Sequence, residues 1–110
     1  MGESPEPALV EAMNRLWAKF LPQLAERVAT LEAAAAALAS GALSAGGQQE
    51  ASANAHKLAG VLGTFGLQKG TELAREAEVA YQGDLRLNPA AAARLAEIAV
   101  QLRALVASRR

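Results

Sequence analysis

The chain has 110 residues, 52% of them hydrophobic, which is enough for one buried core and too little for two domains. Eleven basic and eleven acidic residues give zero formal charge, which removes the usual electrostatic attraction to nucleic acids and anionic membranes. With no cysteine and one histidine, disulfides and thiolate chemistry are excluded and a zinc site is disfavoured. No uncharged apolar run approaches about 18 residues and no signal-peptide pattern opens the chain, so we expect a cytoplasmic protein without a membrane span.

The N-terminal third of the chain predicts a short lead followed by helix. Residues 1–7 are polar with two prolines, which predicts a disordered lead before one helical domain over residues 8–110. Pro22 interrupts the helical periodicity that follows, either by kinking one long helix or by starting a second one in its first turn. We favour a short N-terminal helix that leads through a kink into a longer one ending at Ser40-Gly41. The apolar stripe of these segments consists of Leu9, Met13, Leu16, Phe20, Leu24, Val28, Leu31, Ala35 and Leu38.

Three more helical segments follow, separated by glycine, asparagine and proline. They are predicted over residues 48–65, with Gly66 as the stop, over residues 68–82, and from the capping signal Asn88-Pro89 to the C-terminus. No stretch alternates β-branched and polar residues, so no strand is predicted. Short connections favour antiparallel neighbours. The sequence therefore predicts an all-α fold, an antiparallel up-and-down four-helix bundle with a short N-terminal helix.

The segment 48–65 has two different faces. At ~100° per residue, Ser52, His56, Gly60 and Gly63 lie nearly opposite an apolar stripe. A glycine inside a helix costs ~1 kcal/mol relative to alanine, so two glycines beside the only histidine indicate a packing or functional reason. Bare backbone beside an imidazole leaves room for a bulky group to approach the ring. In the ordinary alternative, His56 is an idle core or surface residue. The stripe consists of Ala51, Ala55, Leu58, Leu62 and Phe65.

The same residues resemble a known family. The segment AHKLAG at 55–60, followed by LGTFGL at 62–67, resembles the active helix of histidine-containing phosphotransfer (HPt) domains, and GTELAREAE at 70–78 resembles their next helix. By position, the resemblance implies that His56 is the phosphoacceptor, with Gly60 opening its surroundings and Lys57 and Gly63 completing the phosphate environment. Many family members have a lysine three residues after the histidine, where this chain has Ala59. Lys57 would instead approach from the flank, or remain a solvated surface residue.

The resemblance also implies a function. The protein would accept a phosphoryl group at His56 and donate it, to and from aspartates of response-regulator receiver domains, or take it from a histidine kinase. It would be a phosphoryl carrier and not an enzyme, and it would need no cofactor or metal, because the receiver would supply the aspartate and Mg²⁺. Neutral histidine, with an unperturbed pKa of ~6.5, is a sufficient nucleophile at cellular pH. We expect a monomer without nucleic-acid or membrane partners.

Other functions remain open from the sequence. The chain could be a non-catalytic helical adaptor or dimerisation module in which His56 is incidental, or a receiver-binding HPt-like domain that carries no phosphate, as Ala59 allows. No acid is evident that could orient His56, and the carboxylates Glu72, Glu76 and Glu78 are interpreted as ordinary surface charges. Five apolar residues are candidates for a docking patch around His56, although each could instead be a core residue. These are Ala53, Ala59, Leu9, Met13 and Trp17.

Overall fold

A computed structural model describes residues 6–109, which form four α-helices and no β-strand. The helices are α1 (Pro7–Ala39), α2 (Ala45–Thr64), α3 (Gln68–Gln82) and α4 (Ala91–Ser108), with a 3₁₀ turn at Leu85–Leu87. The predicted all-α four-helix bundle is confirmed. Within residues 6–109, no helix combines the length and the apolar character that crossing a membrane requires.

Consecutive helices run antiparallel. Near the start of α2, the Gln48 side chain donates to the carbonyl of Tyr81 at the end of α3, at 2.7 Å. Further along α2, the Ala59 carbonyl accepts a hydrogen bond from Thr71 near the start of α3, at 3.0 Å. The helix α4 returns along α1, because the Arg103 guanidinium binds Glu32 through two 2.6 Å hydrogen bonds while residue 109 reaches Trp17. The topology is therefore up-down-up-down.

The first helix differs from the sequence prediction, because it continues unbroken through Pro22 for 33 residues. Within the described residues 6–109, no separate short N-terminal helix precedes Pro22. Proline removes one backbone hydrogen bond, but buried residues keep helical spacing on both sides of it, with Trp17 before and Leu24 and Val28 after. Leu16 of the predicted stripe is instead 38% exposed. Packing of one amphipathic face outweighs the local loss. Of the predicted lead, residues 1–5 lie outside the described residues, and Pro7 occupies the first helical turn, which proline tolerates.

The helix ends follow the predicted glycines. Gly66 has a φ of 73°, in the left-handed region that glycine adopts without a Cβ clash. The N–H of Leu67 then donates to the Leu62 carbonyl at 2.9 Å, which is the Schellman arrangement that terminates a helix. Gly41, with a φ of 74°, ends α1 in the same way. Both predicted stops are confirmed.

The core places α3 close against α2. Gly70 of α3 is buried, and a Cβ added to it would lie 2.8 Å from the Leu62 methyl carbon Cδ1. The missing side chain therefore permits a close helix approach, to which Ala55 and Ala59 of α2 contribute because they are small and buried. This approach fixes which residues of α3 stand beside the outer face of α2. The largest fully buried side chains of the bundle are Leu24, Leu58, Leu62, Leu73, Ile98 and Leu102.

An aromatic cluster closes the end of the bundle where α2 finishes. Trp17 is 4% exposed and meets Phe65 edge-to-face, with ring centroids 5.0 Å apart. The Arg109 guanidinium lies 4.8 Å from the centre of the Trp17 ring, a cation–π distance. Trp17, a candidate docking residue, is therefore in the core, whereas Leu9 remains 56% exposed.

Candidate functional site

His56 lies in the middle of α2 on the side away from the core, and its side chain is 70% exposed. The opposing stripe is buried, with Ala51, Ala55, Leu58 and Leu62 all fully inaccessible to solvent. Three turns of packed apolar residues thus fix the rotation of α2 about its axis. The imidazole stands at the surface as a consequence, as the helical periodicity predicts.

One nitrogen of the ring is held by the neighbouring helix. His56 Nδ1 lies 2.8 Å from Oε2 of Glu78 on α3, whose side chain is only 18% exposed. An ionised carboxylate accepts hydrogen bonds and donates none, so Nδ1 carries the hydrogen and donates it. In the neutral ring, the lone pair is then on Nε2. Nε2 makes no hydrogen bond with any residue of the range 6–109.

The partnership with Glu78 corrects the sequence interpretation, which treated all three carboxylates of α3 as surface charges. Two of the three, Glu72 and Glu76, are surface charges. Glu76 pairs with Arg94, whose hydrogen bonds lower the pKa of that carboxyl, and the one hydrogen bond of the Glu72 carboxylate within residues 6–109 comes from Gln68, at 3.4 Å. Glu78 is brought to His56 by the register of α3 against α2. That register depends on packing across the interface, and no local sequence pattern contains it.

His56 stands between two shallow surface grooves. The α3-side groove is lined on its α2 wall by Ser52, Ala53, His56 and Lys57 and on its α3 wall by Glu78. The α1-side groove is lined by Arg27, His56, Lys57, Gly60, Val61 and Thr64. The second groove therefore combines the histidine with two residues of the predicted phosphate environment and with an arginine from α1 that the sequence analysis did not single out.

The two glycines beside His56 have different surroundings. A Cβ added to Gly60 would meet no other atom within 4 Å, so packing does not require a glycine there. A Cβ added to Gly63 would lie 3.3 Å from Thr71 Oγ1, which places this glycine against α3. Gly63 does not line the α1-side groove. The open backbone beside the imidazole is therefore that of Gly60, and the role predicted for Gly63 at a phosphoryl group stays a prediction.

The cationic residues around His56 also differ from the common family pattern. Ala59 is 2% exposed, so a lysine at this position would begin inside the core and have to bend outward to reach solvent. Lys57 is exposed and borders both grooves. Arg27 is half-buried on α1, and its Nη1 donates to Oδ1 of Asn54 at 2.9 Å. Two cations thus line the α1-side groove together with His56 and Gly60.

This arrangement suits one kind of chemistry. An exposed, neutral imidazole with an oriented Nδ1–H and a free Nε2 is a nucleophile, and the nearby cations favour an anionic group on it. Among residues 6–109, no group of three or more histidine, cysteine, aspartate or glutamate side chains could hold a metal ion.

Comparison with known families matches the Hpt domain over residues 15–107. The chain belongs to the Hpt domain family. Hpt domains are helical phosphoryl carriers that interact with receiver domains or histidine kinases, so the protein has a phosphotransfer role in two-component signalling. The resemblance drawn from the sequence is confirmed. Comparisons with curated proteins and with solved structures gave no match.

Proposed function

We propose that this Hpt domain accepts a phosphoryl group on Nε2 of His56 and donates it to the aspartate of a receiver domain. The main support is the ring geometry: Nδ1 is bound to Glu78 at 2.8 Å, while the side chain remains 70% exposed. A carrier has to meet a large partner, so its reactive atom has to stand clear of its own side chains. The bare backbone of Gly60, one turn after His56, adds room on that side.

The transfer proceeds without an added acid or base. The lone pair of Nε2 attacks the phosphorus of an aspartyl phosphate on the receiver, so that an N–P bond forms as the P–O bond breaks. The bonding electrons return to the aspartate as a carboxylate. The imidazole becomes cationic because Nδ1 keeps its hydrogen, and the Glu78 carboxylate balances this charge. Donation to the next receiver is the reverse step. Positioning and electrostatics dominate such transfers, and the receiver would supply Mg²⁺.

Lys57 and Gly60 would contribute to the phosphate environment in different ways. Lys57 would bring a mobile positive charge to the phosphoryl group from the flank of the helix. Gly60 would contribute by having no side chain, since any Cβ at position 60 points into the groove that His56 lines. Ala59, which is buried, would contribute no charge.

The decisive experiment is a transfer assay. The protein is incubated with receiver domains that carry a radiolabelled aspartyl phosphate, or with kinase, receiver and ATP, and is then examined for an acid-labile, base-stable label. We expect labelling of the wild type and none of His56→Gln. His56 is the only histidine in the chain, so a labelled His56→Gln protein would refute the proposal.

The same assay separates the alternatives. A protein that binds receivers but takes no label would be a receiver-binding domain without phosphate. A protein that binds no receiver and associates with itself in sedimentation experiments would be an adaptor or dimerisation module. We propose the carrier as a monomer, which the same sedimentation experiment tests.

A further inference from the structure

We infer that Arg27 of α1 binds the phosphoryl group on His56, supplying from another helix the positive charge that position 59 lacks. The inference rests on the proposed function, because it concerns the phosphorylated form of His56. It concerns a positioning residue that the sequence did not indicate, since nothing near Arg27 in the chain relates it to His56.

The first step of the argument is placement. Arg27, Gly60 and His56 line the same α1-side groove. A 2.9 Å hydrogen bond from its Nη1 to Asn54 holds Arg27 against α2. Gly60 lines this groove one turn after His56, and an added Cβ there would meet nothing within 4 Å. No side chain at position 60 therefore narrows the groove that the arginine and the histidine share.

The second step is charge. Phosphorylation places close to two negative charges beside the carboxylate of Glu78, which is already committed to Nδ1 at 2.8 Å. Lys57 is the only cation on α2 that borders the groove, and its ammonium is a strongly hydrated point charge. A second cation is needed to balance the negative charge of the phosphoryl group and Glu78. Arg27 is the other cationic residue that lines the groove.

The third step is hydrogen-bonding capacity. A guanidinium has five N–H donors in a planar fork that matches the oxygens of a phosphoryl group. The bond from Arg27 to Asn54 is made to a neutral amide, whereas a bond to the phosphoryl group joins two opposite charges and can be bidentate. Asn54 keeps a second anchor when the arginine leaves, because its Nδ2 donates to the Glu50 carbonyl at 2.9 Å. Exchange of Asn54 for the phosphoryl group is therefore favourable.

The bond to Asn54 also suggests a purely structural role, in which Arg27 only ties α1 to α2. Two variants separate these roles. Asn54→Ala removes the tie and leaves the guanidinium in the groove, whereas Arg27→Gln removes both. Arg15→Gln is the matched control, because Arg15 is an exposed arginine twelve residues earlier on the same helix.

The test uses phosphoramidate, a small phosphoryl donor that modifies exposed imidazoles without a protein partner. Phosphorus NMR then follows the second ionisation of the phosphoryl group with pH. A neighbouring cation favours the dianion, so we expect its pKa to rise by about half a unit or more in Arg27→Gln. The pKa of the phosphoryl group in Arg27→Lys should lie between those of the wild type and Arg27→Gln. The pKa in Asn54→Ala and in Arg15→Gln should match that of the wild type. Glu78 and Lys57, the other charged groups at the site, are kept in every variant.

A titration of Arg27→Gln that coincides with the wild type would overturn the inference, as would an Asn54→Ala titration shifted as far as that of Arg27→Gln. Should Arg27→Gln fail to fold by circular dichroism, the wild type decides: its Arg27 Nε–H resonance should move on phosphorylation while that of Arg15 stays, and an unmoved Arg27 resonance would overturn the inference. If phosphoramidate labels the protein but no phosphorylated receiver does, the proposed function is rejected and the inference about Arg27 is not. Failure of phosphoramidate to label the wild type would reject both.

Discussion

Gly60 should limit the stability of the protein and support its activity, and Gly60→Ala tests both effects at once. An interior helical glycine costs ~1 kcal/mol relative to alanine. A Cβ at this position meets nothing within 4 Å, so no packing penalty offsets the gain. We expect Gly60→Ala to be more stable by about 0.5–1 kcal/mol, which corresponds to a rise of about 2–4 °C in Tm for a domain of this size.

The same methyl group should slow phosphoryl transfer. It would stand one turn from His56, and residues four apart on a helix are ~5–6 Å from each other at Cβ. A receiver that brings its aspartate and metal to Nε2 would have to shift to avoid it, and displacements of about 1 Å cost on the order of 10²-fold in rate. We expect transfer to fall about 10- to 100-fold in Gly60→Ala and further in Gly60→Gln. Thermal unfolding by circular dichroism and single-turnover transfer from a phosphorylated receiver measure the two effects.

Gly63→Ala is the matched control. Its Cβ would lie 3.3 Å from Thr71 Oγ1, whose hydroxyl donates to the Ala59 carbonyl at 3.0 Å. The new methyl crowds this hydrogen bond, so the gain in stability should be smaller than at Gly60. Gly63 does not line the α1-side groove, so transfer should stay unchanged, and a slower transfer would instead support the predicted place of Gly63 in the phosphate environment. A Gly60→Ala protein that transfers at the wild-type rate would show that the open backbone serves no purpose in docking. A less stable Gly60→Ala would refute the packing argument itself.

Three further variants test other parts of the structure. Glu78→Gln should slow transfer to His56 about tenfold, which is near the lower limit for losing a hydrogen bond to a charged group because the ring is largely exposed. Glu72→Gln on the same helix should leave the transfer rate unchanged. Equal transfer rates in the two variants would exclude an orienting role for Glu78. Tyr81→Phe should gain about 1 kcal/mol at neutral pH in urea unfolding, because the buried hydroxyl has no hydrogen-bond partner among residues 6–109. Burial raises the pKa of Tyr81 to about 12, above its unfolded value of ~10, so wild-type stability should fall as pH rises from 10 to 12 and Tyr81→Phe should lack this fall. Trp17→Ala should lose about 3–5 kcal/mol by circular dichroism, and a smaller loss would place Trp17 outside the core.

The parts of the structure that depend on local pattern could be predicted from the sequence. The rotation of α2, which buries Leu58 and exposes His56, follows from periodicity alone. The positive φ of Gly66 follows from its place just after the last helical turn. The course of the helix at Pro22 was harder to predict, because proline locally favours a break in the helix, whereas packing on both sides of it favours an unbroken helix. Packing prevailed, and sequence patterns do not give the relative size of these two effects.

The parts of the site that come from other helices could not be predicted. Glu78 and Arg27 stand 22 and 29 positions from His56 in the chain. Each reaches the site through the register of a helix pair, which is set by contacts such as that between Gly70 and Leu62. On the sequence alone, Glu78 is one of three similar acids on α3. Glu78 could be distinguished from the other two only by knowing a contact between α2 and α3.

The two partners that the sequence missed are held in different ways, and the difference matters for a carrier. Glu78 is 18% exposed and sits on α3, whose approach to α2 is fixed by the buried contact of Gly70, so the orientation of the His56 ring is set before any phosphate arrives. Among residues 6–109, Arg27 makes one hydrogen bond, to the neutral amide of Asn54, which keeps its own bond to the Glu50 carbonyl if the arginine leaves. A rigid nucleophile and a movable cation suit a group that has to be bound on arrival and released on departure. A permanently fixed cation would hold phospho-His56 more tightly and slow its donation, because an interaction that stabilises the phosphorylated state alone adds to the barrier for leaving it.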